Sequence, residues 1–173
     1  QISAVVVDHG LQEASSKVAQ STAAKLEELG VDPVVIETIT VAESGNGPEA
    51  AARTARYQAL ERARKLVSAE VIFLGHNLED QAETVLLGLT RGSGLRSIAG
   101  MQGFDKNKKL VRPLLGIKRD ALLQSCIDQD IEVWQDPHNK DPKFTRVRIR
   151  QLLDTLESEL GPGFASALAR TAE

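Results

Sequence analysis

Ile2-Ser3-Ala4-Val5-Val6-Val7-Asp8-His9-Gly10 sets a β-branched apolar run ahead of a polar turn, and the fold is read outward from it. Such a run, Ile2–Val7, suits a strand covered on both faces. Glu13–Gly30 then shows helical spacing through Val18, Ala19, Leu26 and Leu29 and stops at a glycine. Val34-Val35-Ile36, within Pro33–Thr40, repeats the strand signal. Past the loop Ser44-Gly45-Asn46-Gly47, a long helix is predicted over Pro48–Ala69, with the proline suited to its first turn. Val71-Ile72-Phe73-Leu74 gives a third strand, and Leu78–Arg91 a third helix closed by Gly92-Ser93-Gly94.

Strands alternating with helices long enough to cross back over them predict an α/β fold, a parallel sheet with helices on both faces. This pattern holds to roughly Pro113, and a mostly helical region follows. Leu110–Pro113 reads as a short edge strand, because proline limits a central position. Ile117–Gln129 reads as a helix, Val133-Trp134 as extended and Asp136–Pro142 as a turn-rich loop. Phe144–Leu156 and Pro162–Ala172 complete the chain as helices. Ligands of parallel sheets bind outside the C-terminal ends of the strands. That rule singles out Asp8-His9-Gly10 and Gly75-His76.

Hydrophobic residues at 42% and charged residues at 26% argue against a disordered chain. No apolar run approaches the ~20 residues that span a bilayer. The first residues lack the basic segment of a signal peptide and read as the inside of a domain. The single cysteine, Cys126, leaves no disulfide framework, CxxC redox pair or cysteine-built metal site. Its apolar helical context predicts a small buried hydrophobe, and the compartment is expected to be cytoplasmic. The net charge of −3 hides an asymmetry. Arg91–Arg119 carries eight basic residues against Asp105 alone, a local +7, and Lys143–Arg150 adds Lys143, Arg146, Arg148 and Arg150 with no acid. Two such stretches suit a polyanion, or form a merely solvated basic face.

His76-Asn77-Leu78-Glu79-Asp80-Gln81-Ala82-Glu83-Thr84 is the most informative chemistry. On a helix His76, Asp80 and Glu83 fall at i, i+4 and i+7, so one face carries an imidazole and two carboxylates. Leu78, Ala82, Val85, Leu86 and Leu89 form an offset apolar stripe, which turns the polar face away from the core. Neighbouring carboxylates repel unless a cation lies between them, so the pair wants an ammonium group or a metal. The zinc spacing is poor, since the familiar pattern pairs two histidines. A solvated helix face is the alternative. Gly92-Ser93-Gly94 permits backbone N–H groups to approach an anion, or simply ends the helix. Arg53 and Arg56, one turn apart, could grip phosphates, while Ala52, Ala55, Ala59 and Ala63 line a side of the same helix that can pack closely.

Together these stretches resemble the tRNA(Ile)-lysidine synthetase family of the PP-loop ATP pyrophosphatase superfamily. The matching pieces are Val7–Leu11, Glu49–Tyr57, His76–Leu87, Arg91–Leu95, Arg112-Pro113-Leu114-Leu115, and Asp136-Pro137-x-Asn139-x-Asp141-Pro142 leading to Arg146. They stand in the family's order. The resemblance implies an adenine nucleotide alpha hydrolase-like fold, with residues 1–115 as a truncated PP-loop domain and 116–173 as its helical extension. It implies a ligase that adenylates the wobble cytidine of tRNA(Ile) bearing a CAU anticodon and joins L-lysine to C2, giving lysidine. By this likeness Asp80 and Glu83 hold lysine and serve catalysis, Asp80 orienting the amine or assisting its deprotonation. Asp8, His9, Gly10, His76, Gly92, Ser93 and Gly94 would face ATP, which enters with Mg2+ as co-substrate, with no resident metal. Arg53, Arg56, Arg91, Arg112, Arg146 and Arg150 would meet tRNA. No membrane is implied, and the oligomeric state is left open, a homodimer included. The reading requires Asp80 and Glu83 to face the strand-end crevice rather than be neutralised by nearby arginines.

The family's Ser-Gly-Gly-x-Asp-Ser loop would lie upstream of Val5, so the chain is expected to begin inside the domain and to be inactive by itself. Val147 stands where the family pattern has asparagine, and Gln12 where it has a basic residue. Three alternatives stay open. A PP-loop tRNA thiolation enzyme would use paired cysteines, which Cys126 alone fits poorly. A non-catalytic RNA-binding α/β module would need only the basic stretches. A small-molecule ATP-using amidotransferase would not need the Arg146–Arg150 run.

Overall fold

The computed structural model describes residues 1–10, 15–40, 48–90, 92, 94, 98–134, 136, 139 and 141–172. They form two compact units, Gln1–Ile72 and Phe73–Glu173.

In the first unit, β1 (Ala4–Asp8) pairs in parallel with β2 (Val34–Thr38), in register from Ala4 opposite Val34 to Asp8 opposite Thr38. A parallel pair needs a crossover, and α1 (Ser15–Glu28) supplies it. Both α1 and α2 (Pro48–Leu66) pack against these strands. They approach through small residues: α1 buries Ala19 and Ala23, and α2 buries Ala59, Leu60 and Ala63. The alanine side read from the sequence of α2 is therefore a packing face at Ala59 and Ala63. Leu29, expected within the helix, lies beyond its end and is 60% exposed. The helix ends at Glu28, and the chain turns away at Gly30, whose φ of +82° favours glycine. The loop 44–47 lies outside the described residues.

The second unit is built on α3 (Leu78–Leu89), α4 (Arg119–Asp128), α5 (Thr145–Leu160) and α6 (Phe164–Thr171). α3 packs on α5 and α6, which also pack on each other. The core between them is Leu78, Ala82 and Val85 of α3 with Val147, Leu153 and Ala169. A side chain such as Val85, 1% exposed, contributes roughly 1.5–3 kcal/mol by leaving water. α5 runs four residues past its expected end at Leu156 and stops at Gly161, φ +96°. α6 has no side-chain cap of its own. Glu157 of α5 provides one, accepting from Gly163 N at 2.6 Å and Ala165 N at 2.9 Å. Those N–H donors hold the Glu157 carboxyl below the usual carboxylate range.

Three short strands accompany these helices in the order β3 (Ile72–Phe73), β5 (Leu110–Val111), β4 (Phe104–Asp105). β4 and β5 form an antiparallel hairpin that two-residue strands do not announce by alternation. β5, expected at an edge, is central. Pro113 lies beyond the strand's end, so it costs no ladder bond. Val133-Trp134, expected to be extended, lies in a stretch without regular secondary structure. Cys126 is half-exposed rather than buried, because α4 buries none of its residues.

Candidate functional site

Asp8, His9 and Gly10 sit at the C-terminal end of β1 in the first unit. The chain leaves the strand through a tight turn: Asp8 Oδ1 accepts from Gly10 N at 2.9 Å, and Gly10 adopts φ +62°. Asp8 is buried, and its carbonyl accepts from Ile39 N at 2.8 Å. On α2, Arg53 is exposed and lies over the Tyr57 ring, 5.0 Å from its centroid, with Nη2 3.3 Å from the hydroxyl. That contact is a cation–π pair one turn along the helix. Arg56, three residues on, is half-buried.

In the second unit His76 precedes α3, and the first turn of that helix is a capping box. Asn77 Oδ1 accepts from Asp80 N, and Asp80 Oδ2 accepts from Asn77 N, both at 3.0 Å. Asp80 is half-buried, and its carboxylate lies at the positive end of the helix dipole. The capping role of Asn77 and Asp80 was not read from the sequence and stands beside the one expected of Asp80. Glu79 reaches another helix: its Oε2 accepts from Arg119 N at 3.0 Å, at the start of α4. Lys118, the N-cap of α4, supplies no side-chain cap, so Glu79 fills that place.

Glu83 lies one turn further and is 0% exposed. Its Oε1 accepts from Arg150 Nε at 2.9 Å and lies 3.9 Å from Arg119 Nη2. Its Oε2 accepts from Arg146 Nη1 at 3.4 Å. The sequence reading that the polar face of α3 points away from the core is corrected here. Glu83 is buried, because α3 is covered by partners on this side too. Asp80 and Glu83 therefore differ. Asp80 is partly open at a helix start, whereas Glu83 is enclosed by guanidinium groups, the arrangement that the lysine-holding expectation required to be absent at that position.

Arg146 and Arg150 are a turn apart on α5, with side chains 40% and 29% exposed. Arg148, between them, faces elsewhere, donating to the Pro142 and Lys143 carbonyls and to Thr145 Oγ1. Arg112 was expected as an exposed tRNA contact. It is buried, its N donating to the Gly103 carbonyl and its Nη1 to the Gln102 carbonyl, each at 2.8 Å. That inward fastening replaces an outward phosphate contact. Gly92 and Gly94 are exposed, Gly92 at φ +148°, a conformation that only glycine adopts readily. Arg91 and Ser93 lie outside the described residues.

Two residues went unnoticed in the sequence. Arg119 was counted in a basic run without a role. Gln81 was placed on α3 without a partner, yet its amide accepts from Met101 N at 2.8 Å and donates to Met101 O at 3.0 Å. The adjacent Gly100 leaves no room for a methyl group, since a Cβ there would stand 2.6 Å from both Ala172 Cβ and Gln81 Cδ.

A family model described as a PP-loop domain, ATP_bind_3, matches residues 1–156. The chain is 52% identical over 171 residues to a protein of Leifsonia xyli subsp. xyli named tRNA(Ile)-lysidine synthase, covering 98% of this chain and 51% of that protein. Proteins of the same name from Streptomyces coelicolor and Mycobacterium tuberculosis are each 49% identical, covering 98% of this chain and 48% and 50% of theirs. The chain thus spans about half the length of the curated relatives it matches. Among solved structures, the U34-tRNA thiolase NcsA of Methanococcus maripaludis with its 4Fe-4S cluster superposes with a TM-score of 0.72 at 18% identity. That match covers 97% of this chain and 60% of the thiolase chain. At that identity the likeness shows the fold, an adenine nucleotide alpha hydrolase-like α/β arrangement, and does not favour thiolation.

Proposed function

The chain belongs to the PP-loop domain family, and from that premise we propose that the protein carrying it is an ATP-dependent ligase that joins L-lysine to the wobble cytidine of tRNA(Ile). The observation that supports this most is the near-half identity, over 97–99% of the chain, to proteins named tRNA(Ile)-lysidine synthase. In the proposed reaction the C2 oxygen of the cytidine attacks the α-phosphorus of ATP and pyrophosphate leaves. The lysine ε-amine then attacks C2, the C–N bond forms, and AMP departs with the former C2 oxygen. The attacking amine must shed a proton, and Asp80 is the candidate to orient it and assist that transfer.

His76, beside α3, and the Asp8-His9-Gly10 turn, whose N–H groups and buried carboxylate end a parallel strand, are assigned to ATP. Gly92 and Gly94 are likewise assigned to ATP, because glycine backbone can approach phosphate closely. Mg2+ enters on ATP, supplying charge neutralisation for the phosphates. Among the described residues no group of three His, Cys, Asp or Glu side chains could hold it alone. Arg53, Arg56, Arg146 and Arg150 are assigned to tRNA. Among the described residues no helix is long and apolar enough to cross a membrane, and we place the enzyme in the cytoplasm with its tRNA substrate.

The test uses the full-length gene product with ATP and an isoleucine tRNA bearing a CAU anticodon. AMP release should require both the tRNA and lysine. Release that ignores lysine contradicts the ligase reading. RNA binding without RNA-dependent ATP consumption would favour the binding module.

A further inference from the structure

We propose that Glu83 is a positioning residue, which gathers Arg119, Arg146 and Arg150 into one receptor for a phosphate oxyanion while the lysine ammonium is held without it. This rests on the ligase reading for its substrates and departs from it over what Glu83 does. Three cations surround one buried carboxylate, so these four side chains alone sum to +2, with the Glu79 and Asp80 carboxylates one turn back on α3. An ammonium added there would be a fourth cation sharing one anion, and would meet repulsion. A phosphate group would balance the excess.

The geometry agrees with the charge. None of the three guanidinium groups grips Glu83 with two parallel bonds. Arg150 uses only Nε, Arg146 only Nη1, and Arg119 approaches end-on at 3.9 Å. Each guanidinium has five N–H donors, and among the described residues Glu83 engages one on Arg150 and one on Arg146, which leaves paired edges of the kind that recognises phosphate. The arginine side chains are 29–40% exposed while Glu83 has no exposure, so the carboxylate lies deeper than the side chains around it. Arg146 and Arg150 share a helix face, and Arg119 comes from a second helix whose start Glu79 fastens to α3. Glu83 offsets the mutual repulsion of the three guanidinium groups that these helices bring together. Both the tRNA backbone and ATP carry the required phosphate.

The experiment compares Glu83→Gln, Arg146→Gln, Arg150→Gln and the double variant Glu83→Gln/Arg146→Gln in the full-length protein. It measures direct Kd for tRNA and for ATP, KM for lysine, and thermal unfolding. Losing one charge-assisted contact should weaken one phosphate ligand about tenfold or more, and the ligand that suffers identifies the source. KM for lysine should stay within about twofold, and the double variant should lose less than the product of the single losses. A lysine KM raised about tenfold in Glu83→Gln, with tRNA and ATP binding unchanged, overturns the proposal. Losses that multiply independently overturn it as well. Should Glu83→Gln fail to fold, the arginine variants decide: unaltered binding of both phosphate ligands refutes the receptor. The binding measurements need no turnover, so a wild-type protein without lysine-dependent activity would count against the ligase reading alone.

Discussion

Asp80 has two separable jobs in this account, and replacing it beside its capping partner distinguishes them. Asn77 and Asp80 exchange two hydrogen bonds of 3.0 Å at the start of α3. Asn77→Ala removes one and Asp80→Ala the other, so each should cost about 1 kcal/mol of stability, or about 2–4 °C in Tm for a protein of this size. In the proposed reaction, only Asp80→Ala also removes a carboxylate from the lysine amine. A hydrogen bond to a charged group is worth about 1.5–3 kcal/mol, so kcat/KM for lysine should fall about 10- to 150-fold. Asn77→Ala should leave it within about twofold. Steady-state AMP release against lysine concentration, at saturating tRNA and ATP, with Tm measured on the same preparations, gives both readouts. Equal losses of lysine use in the two variants would refute the reasoning, leaving Asp80 as a cap that shapes the helix start.

Gly100→Ala should destabilise the second unit by about 1–3 kcal/mol, because its new methyl has no space beside Gln81 and Ala172; denaturant unfolding reads the loss, and an unchanged midpoint would contradict the packing. Glu157→Gln should lower Tm at pH 7 and lose its effect in acid. The folded-state pKa is depressed, so the contribution is present above the unfolded carboxylate value and disappears as pH falls through the lower folded value. Thermal melts across that range check the sign, and a Tm difference that grows on acidification contradicts it.

The fold was legible where long elements repeat a period. β1, α1, β2, α2 and α3 follow from apolar runs and helical spacing, with glycine and proline marking several ends. The β4–β5 hairpin was hidden because two residues cannot display alternation, and the central place of β5 was masked by a proline just outside it. The candidate site was legible as residue types and not as burial. Periodicity put Asp80 and Glu83 on one polar face, but Glu83 is covered because α5 brings its arginines over that face, a contact 63 and 67 residues away in sequence. Arg112 misled for the same reason: a basic run predicts exposure, whereas the side chain is buried and donates to the Gln102 carbonyl.

Mass spectrometry of nucleosides from isoleucine tRNA treated with the full-length protein, ATP and isotopically labelled lysine is the most direct measurement. The wobble cytidine should gain one labelled lysine less one water, dependent on ATP. Consumption of ATP with that cytidine left unmodified, or a sulfur-bearing nucleoside in its place, would contradict the account.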